Sequence, residues 1–195
     1  MEKVSYALGM SLGHSLINSG VKKVDVEKLM KGINDVMQGA QLELTVEEAQ
    51  IAINEYFQKQ QEQAAAVNIA EGKEFLENNA KRPEVTTTES GLQYEVLTMG
   101  EGEKPAATDK VTVHYHGTLL DGTVFDSSVR RGQPATFGVN QVISGWVEAL
   151  QLMPVGSKWK LFIPSQLAYG PHGAGEHIGP HATLIFEVEL LAIEK

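Results

Sequence analysis

Two rhythms of apolar and polar positions divide the chain. Over the first eighty or so residues the spacing is helical. Leu8, Leu12 and Leu16 recur every four residues, and Gly9 and Gly13 beside them form a small-xxx-small pair that lets a second helix come close. After a break at Asn18-Ser19-Gly20, Asp25 is placed to cap a second helix whose apolar positions are Val26, Leu29, Ile33, Val36 and Met37. Thr45 with Glu48 three residues on forms a capping box for a third helix, and Leu44 and Ala49 fit a hydrophobic staple. Nothing stops that helix before Pro83, so it is expected from Val46 to about Lys81, roughly 50 Å at about 1.5 Å per residue, with Gly72 its weak interior point. Ala49, Ala52, Ile53, Tyr56 and Phe57 make one apolar face. From Gln58 to Gln63 the helix is polar all round, the mark of a spacer between bodies; the alternative is that it turns back onto the second half.

Beyond Pro83 the rhythm changes to short alternating strands separated by glycine and proline turns. Val111, Val113 and Tyr115 share one face of a strand, and Thr112, His114 and His116 the other. In the last strand Leu184, Phe186, Val188 and Leu190 oppose Glu187 and Glu189. One helical pattern interrupts the strands: Ile143, Trp146, Val147 and Leu150 at i, i+3, i+4 and i+7. The predicted class is therefore α+β, with an all-helical N-terminal module, a long connecting helix, and a C-terminal antiparallel sheet around one short helix.

Composition narrows the chemistry. The 195 residues are 42% apolar and include no cysteine, which removes disulfides, zinc-thiolate sites and cysteine nucleophiles and fits a reducing compartment. A net charge of -9 with scattered basic residues argues against a nucleic-acid partner. No apolar run approaches a membrane span, and the first residues lack a signal-peptide pattern, so a cytoplasmic location is expected; a removed signal replaced by Met1 would make it periplasmic. His114 and His116, with His172, His177 and His181 on a later loop, invite a metal reading, but no third ligand sits at a recognisable spacing, and solvated surface histidines are expected. Ser127 and Ser128 lack both the G-x-S-x-G context and an orienting partner for a nucleophile.

The segments "VHYHGTLLDGTVFDSS", "QVISGWVEALQLMPVG", "LAYG" and "GPHATLIFEVELL", in that order over about 110 residues, resemble the FKBP-type peptidyl-prolyl cis-trans isomerases. The layout of the whole chain is similar to the macrophage infectivity potentiator-like subgroup. The resemblance implies a helical dimerisation module at about 1–70, the connecting helix at about 46–81, and an isomerase domain at 84–195. It implies a pocket made by Tyr115, Phe125, Asp126, Trp146, Tyr169 and Phe186, with substrate also touched by Val142, Ile143, Ile178, Ala135 and Phe137. In it Trp146 is the floor under the proline ring, the Ile143 N–H and the Tyr169 hydroxyl hold substrate carbonyls, and Asp126 orients the Tyr115 hydroxyl instead of acting as a base. No cofactor or metal is implied. The implied partners are proline-containing unfolded proteins, a second copy bound through the N-terminal helices, and macrolide inhibitors of the rapamycin type. Ala135, where several members carry an aromatic residue, and His177 and Gly179, where apolar residues and proline are common, depart from the pattern and bear on specificity. The rival reading is a chaperone module that binds proline-containing or apolar segments and turns them over only incidentally.

Overall fold

The computed structural model describes residues 1–21 and 23–194. Three helices come first: α1 (Glu2–Asn18), α2 (Val26–Gln38) and α3 (Val46–Asn79). Their ends follow the sequence signals. Asp25 accepts from the Lys28 N–H at 3.1 Å, and α2 stops at Gly39 in the left-handed conformation, φ 63°. The capping box closes reciprocally: the Thr45 N–H reaches Glu48 Oε2 at 2.8 Å, and the Glu48 N–H reaches Thr45 Oγ1 at 3.2 Å.

The chain divides into two compact units, Met1–Glu55 and Tyr56–Lys195, so the break falls inside α3. In the first unit no described residue is buried. Tyr6, Leu8, Val36 and Met37 are all exposed, Met37 to 81%.

The second unit holds β1 (Val85–Thr87), β2 (Gln93–Thr98), β3 (Lys110–Thr118), β4 (Val124–Ser127), α4 (Ser128–Arg131), β5 (Ala135–Gly138), α5 (Ser144–Leu152), β6 (Lys158–Ile163) and β7 (Leu184–Glu194). All strand pairs are antiparallel, in the order β1-β2-β6-β7-β3-β4, and β5 also pairs with β3. Period-two alternation explains the core: Val111, Val113 and Tyr115 of β3 and Leu184, Phe186, Val188 and Leu190 of β7 turn to one face, against Trp146, Ala149 and Leu150 of α5. Gly145 lets α5 sit close to β6, since a Cβ there would lie 2.6 Å from Ile163.

The C-terminal third of α3 is no spacer. Asn68 Nδ2 donates to the Pro180 carbonyl at 2.7 Å, and the Phe75 ring lies 5.8 Å from that of Phe162. The buried Asn79 donates to Gln93 Oε1 at 2.8 Å, and Gly72 is buried against Thr183. Residues 68, 72, 75 and 79 fall on one helical stripe, which attaches this part of α3 to the sheet and its loops. The packing on the second half that the alternative reading anticipated is therefore present in this part of α3.

Candidate functional site

β3, β4, β5, α5 and β7 each contribute an aromatic side chain to one cavity. It measures about 650 Å³ and is lined by Tyr115, Phe125, Asp126, Phe137, Val142, Ile143, Trp146, Tyr169, Ile178 and Phe186, with Gln141 and residues 174–177 at its edge. Trp146, 4% exposed, lies at the centre of the aromatic group. Its ring meets Tyr115 at 5.4 Å and 82°, Phe186 at 5.2 Å and 79°, and Phe137 at 6.0 Å and 89°. Phe125 stands edge-on to Phe186 at 5.4 Å. These edge-to-face contacts place upright walls around an indole, an arrangement favoured by the ring quadrupoles. Gly117 makes it possible, because a Cβ there would come within 2.7 Å of both Phe125 and Phe186.

Two carboxylates stand on this mainly apolar lining, Asp126 and the exposed Glu176, and Asp126 is tied into it. Asp126 Oδ2 accepts from the Tyr115 hydroxyl at 2.5 Å, Asp126 Oδ1 is paired with Arg131, and Arg131 also donates to the Tyr115 oxygen at 2.8 Å. Partial burial pulls the Asp126 carboxyl upward, but the Tyr115 hydroxyl and the Arg131 guanidinium outweigh it and hold the carboxyl below its usual range. Burial, then the Asp126 bond, pushes the Tyr115 phenol up. Burial and the Asp126 charge do the same to Tyr169. At neutral pH the cavity thus holds an ionised carboxylate with both lone-pair sides engaged and two neutral phenols. The other titratable side chains on its lining, Glu176 and His177, are exposed to solvent. Among the described residues the Ile143 N–H at the start of α5 and the Tyr169 hydroxyl have no hydrogen-bond partner, so both remain available as donors.

Ten of the eleven residues named from sequence line this cavity. Ala135 does not. It shares a face of β5 with Phe137, but it sits opposite Val113, farther along the ladder, and its methyl group ends in the core. Arg131, Gln141 and Glu176 were not anticipated. Arg131 had a signal in the Ser127-capped turn of α4, where the Arg130 N–H donates to Ser127 Oγ and the turn brings the next arginine back towards Asp126. The strand parity places His114 and His116 away from the cavity, yet they are half-buried and not solvated surface groups. His114 Nδ1 lies 3.1 Å from Ser128 Oγ and His116 Nδ1 2.9 Å from Ser127 Oγ. The serines therefore do have histidine partners. Their hydroxyls are structural nonetheless: Ser128 is fully buried and accepts from the Tyr115 N–H at 2.7 Å, and Ser127 caps α4.

The loop before β7 folds over the cavity through a paired turn, Ala174 N–H to Ile178 O at 2.8 Å and Ile178 N–H to Ala174 O at 3.1 Å. Gly173 at φ 64° permits it; a Cβ there would lie 2.1 Å from the Ile178 carbonyl.

Residues 101–191 match the family model described as FKBP-type peptidyl-prolyl cis-trans isomerase, and residues 1–96 match the domain amino terminal to FKBP-type peptidyl-prolyl isomerase. The sequence is 51% identical over 194 residues to the FKBP-type 22 kDa peptidyl-prolyl cis-trans isomerase of Escherichia coli (strain K12), covering 98% of this chain and 94% of that one. It is 46% identical over 202 residues to the outer membrane protein MIP of Legionella longbeachae, covering 100% of this chain and 86% of the relative. The crystal structure of FkpA from Escherichia coli superposes with a TM-score of 0.77 at 40% identity, over 98% of this chain and 95% of that one.

Proposed function

Because this chain belongs to the FKBP-type peptidyl-prolyl cis-trans isomerases, we propose that it accelerates X-Pro isomerisation in folding proteins inside the cavity floored by Trp146. Rotation about the X-Pro bond is opposed by amide resonance worth roughly 18–20 kcal/mol, which leaves uncatalysed exchange on a scale of tens to hundreds of seconds. No covalent bond is broken. The twisted transition state is less charge-separated than the planar amide, so an aromatic enclosure that strips water from the amide favours it. An acceleration of about a millionfold requires only about 8 kcal/mol of such differential stabilisation.

The residues divide this work. Trp146, Tyr115, Phe125, Phe137, Val142 and Phe186 enclose the proline ring. The Ile143 N–H and the Tyr169 hydroxyl hold substrate carbonyls, Ile178 covers the chain, and the Asp126–Arg131 pair fixes the Tyr115 ring and polarises the rim. The observation that carries the proposal is the Trp146-centred aromatic cavity with its free N–H and hydroxyl donors. NMR exchange spectroscopy on short X-Pro peptides tests it: exchange faster by orders of magnitude is expected, and a rate near the uncatalysed one would reject it in favour of a binding module.

The same cavity is proposed to take macrolides of the rapamycin type, with altered Trp146 fluorescence on titration as the readout. The apolar residues exposed along Met1–Glu55 support a homodimer built from the helical unit, holding proline-containing unfolded chains with chaperone action. Sedimentation of the intact chain as a monomer would overturn the dimer. A cytoplasmic place of action belongs to the same proposal, and cell fractionation tests it: recovery from the periplasm would reject it.

A further inference from the structure

The aromatic cavity does not end at His177. That side chain also lines a second cavity of about 250 Å³, formed between the C-terminal third of α3, the β3–β4 turn and the loop before β7. Its chemistry is different. Leu120 and Ala182 give it a half-buried apolar wall, while Glu71 and Asp121 stand exposed on its lining. Among the described residues neither carboxylate is paired with a basic side chain. Asp121 accepts from the Thr123 N–H at 2.8 Å, which holds its carboxyl below the usual range and keeps it ionised at neutral pH.

Thr183 supplies an independent observation. It is only 5% exposed, it lines this cavity, and its hydroxyl has no hydrogen-bond partner among the described residues. The Thr183 oxygen is not sealed off in the interior, so an N–H entering the cavity can donate to it. Glycine stands at the neighbouring position of α3, where a Cβ would come within 2.4 Å of Thr183 Oγ1.

An apolar wall, two unpaired carboxylates and one unsatisfied acceptor match a side chain with an aliphatic stem and a cationic, multi-donor tip. We propose that this second cavity is a specificity subsite for a lysine or arginine of the substrate chain, on a residue flanking the proline. The stem lies along Leu120 and Ala182, the cation sits by Glu71 and Asp121, and one N–H donates to Thr183 Oγ1. His177 marks the crossing between the two cavities. The inference rests on the reading of the first cavity as the proline site.

The test uses the full chain and peptides of roughly nine residues, about 30 Å when extended, each with one Leu-Pro bond. Lysine, glutamine or glutamate is scanned outward on both sides, and kcat/KM is read by NMR exchange. At one position the lysine peptide should exceed the glutamine peptide by about threefold to tenfold, as expected for one or two exposed ion pairs, and the ratio should shrink with salt. The double variant Glu71→Gln with Asp121→Asn should bring that ratio to about one, and Thr183→Val should lower it part of the way. A ratio near one at every position in an active enzyme, or one that survives the double variant, overturns the subsite alone. Absence of exchange with every peptide would overturn the proline-site reading and the subsite with it.

Discussion

In Met1–Glu55 the side chains that could form a core, among them Tyr6, Leu8, Met30, Val36 and Met37, face solvent. In Tyr56–Lys195 the equivalent residues are sealed: Val111, Val113, Leu161, Ile163, Val188 and Leu190 are at most 1% exposed. Similar apolar side chains meet opposite fates because a sheet with a helix against it buries a shared face, whereas two helices and the first turns of α3 in a segment this short leave apolar faces open. The second unit is therefore complete as a folding and catalytic body. The first is complete only when something covers it, and a second copy of itself is the cover proposed above.

The strongest way to break this contrast is to separate the units. A fragment covering residues 1–55 should lose most of its helical circular dichroism on dilution to low micromolar concentration, whereas a fragment starting near Ala64 should stay folded, monomeric and nearly fully active on tetrapeptides. A cut at Pro83 should be markedly less stable, because it removes Asn68, Gly72, Phe75 and Asn79 from the sheet. Helicity of the 1–55 fragment that does not depend on concentration would remove the contrast.

Within the second unit, Asp126→Leu should lower kcat/KM by about tenfold while the fold survives, since it removes the polar partner of Tyr115 but keeps bulk. His114→Ala with His116→Ala should change the rate little. The reverse pattern would show that the strand parity has been misjudged.

Smaller effects sharpen where the boundary lies. Phe75→Ala should cost about 2 kcal/mol of unfolding free energy, less than a fully buried phenylalanine because the residue is half-buried. Gly72→Ala gains helix propensity of roughly 1 kcal/mol but overpacks against Thr183, so a net loss of about 1 kcal/mol is expected from chemical denaturation. A gain in stability would mean that the stripe is loosely packed.

The smallest effect is one of pH. Asp126 has a carboxyl held below its usual range, so its contribution to stability is fully present above its unfolded value, about 3.9, and is lost as pH falls through its lower folded value. The melting temperatures of the parent and Asp126→Asn should differ at pH 6 and converge as the pH drops towards about 2. Because the side chain is 43% exposed, the difference should be modest.

How much of this was visible in the residues depends on which signal carried it. The helix caps at Asp25 and Thr45, the inward row of β3 and the amphipathic turn at Trp146 follow from local spacing, and each is found as spaced. The docking stripe of α3 escaped because two of its four members are asparagine and one is glycine, so a hydrophobic count reads that face as solvated. The aromatic walls were assembled through motif resemblance, since Phe125, Trp146 and Phe186 lie far apart in sequence and no local rule brings them together. Ala135 was named through the resemblance, at a position where several members carry an aromatic residue; in this chain it sits opposite Val113 and its short side chain does not reach the cavity. Arg131 was passed over because its partners Asp126 and Tyr115 meet it only through the turn of α4.

The position of β7 adds a constraint on timing. This strand, Leu184–Glu194, lies between β6 and β3, so neither of those can acquire its inner neighbour before β7 has been made. The sheet is thus a slow, non-local assembly, whereas α1 and α2 need only contacts near in sequence, and such contacts form orders of magnitude sooner. During synthesis residues 1–55 have been made while the catalytic pocket still lacks Phe186. The homodimer proposed above would therefore be open to two nascent chains before either one is an enzyme.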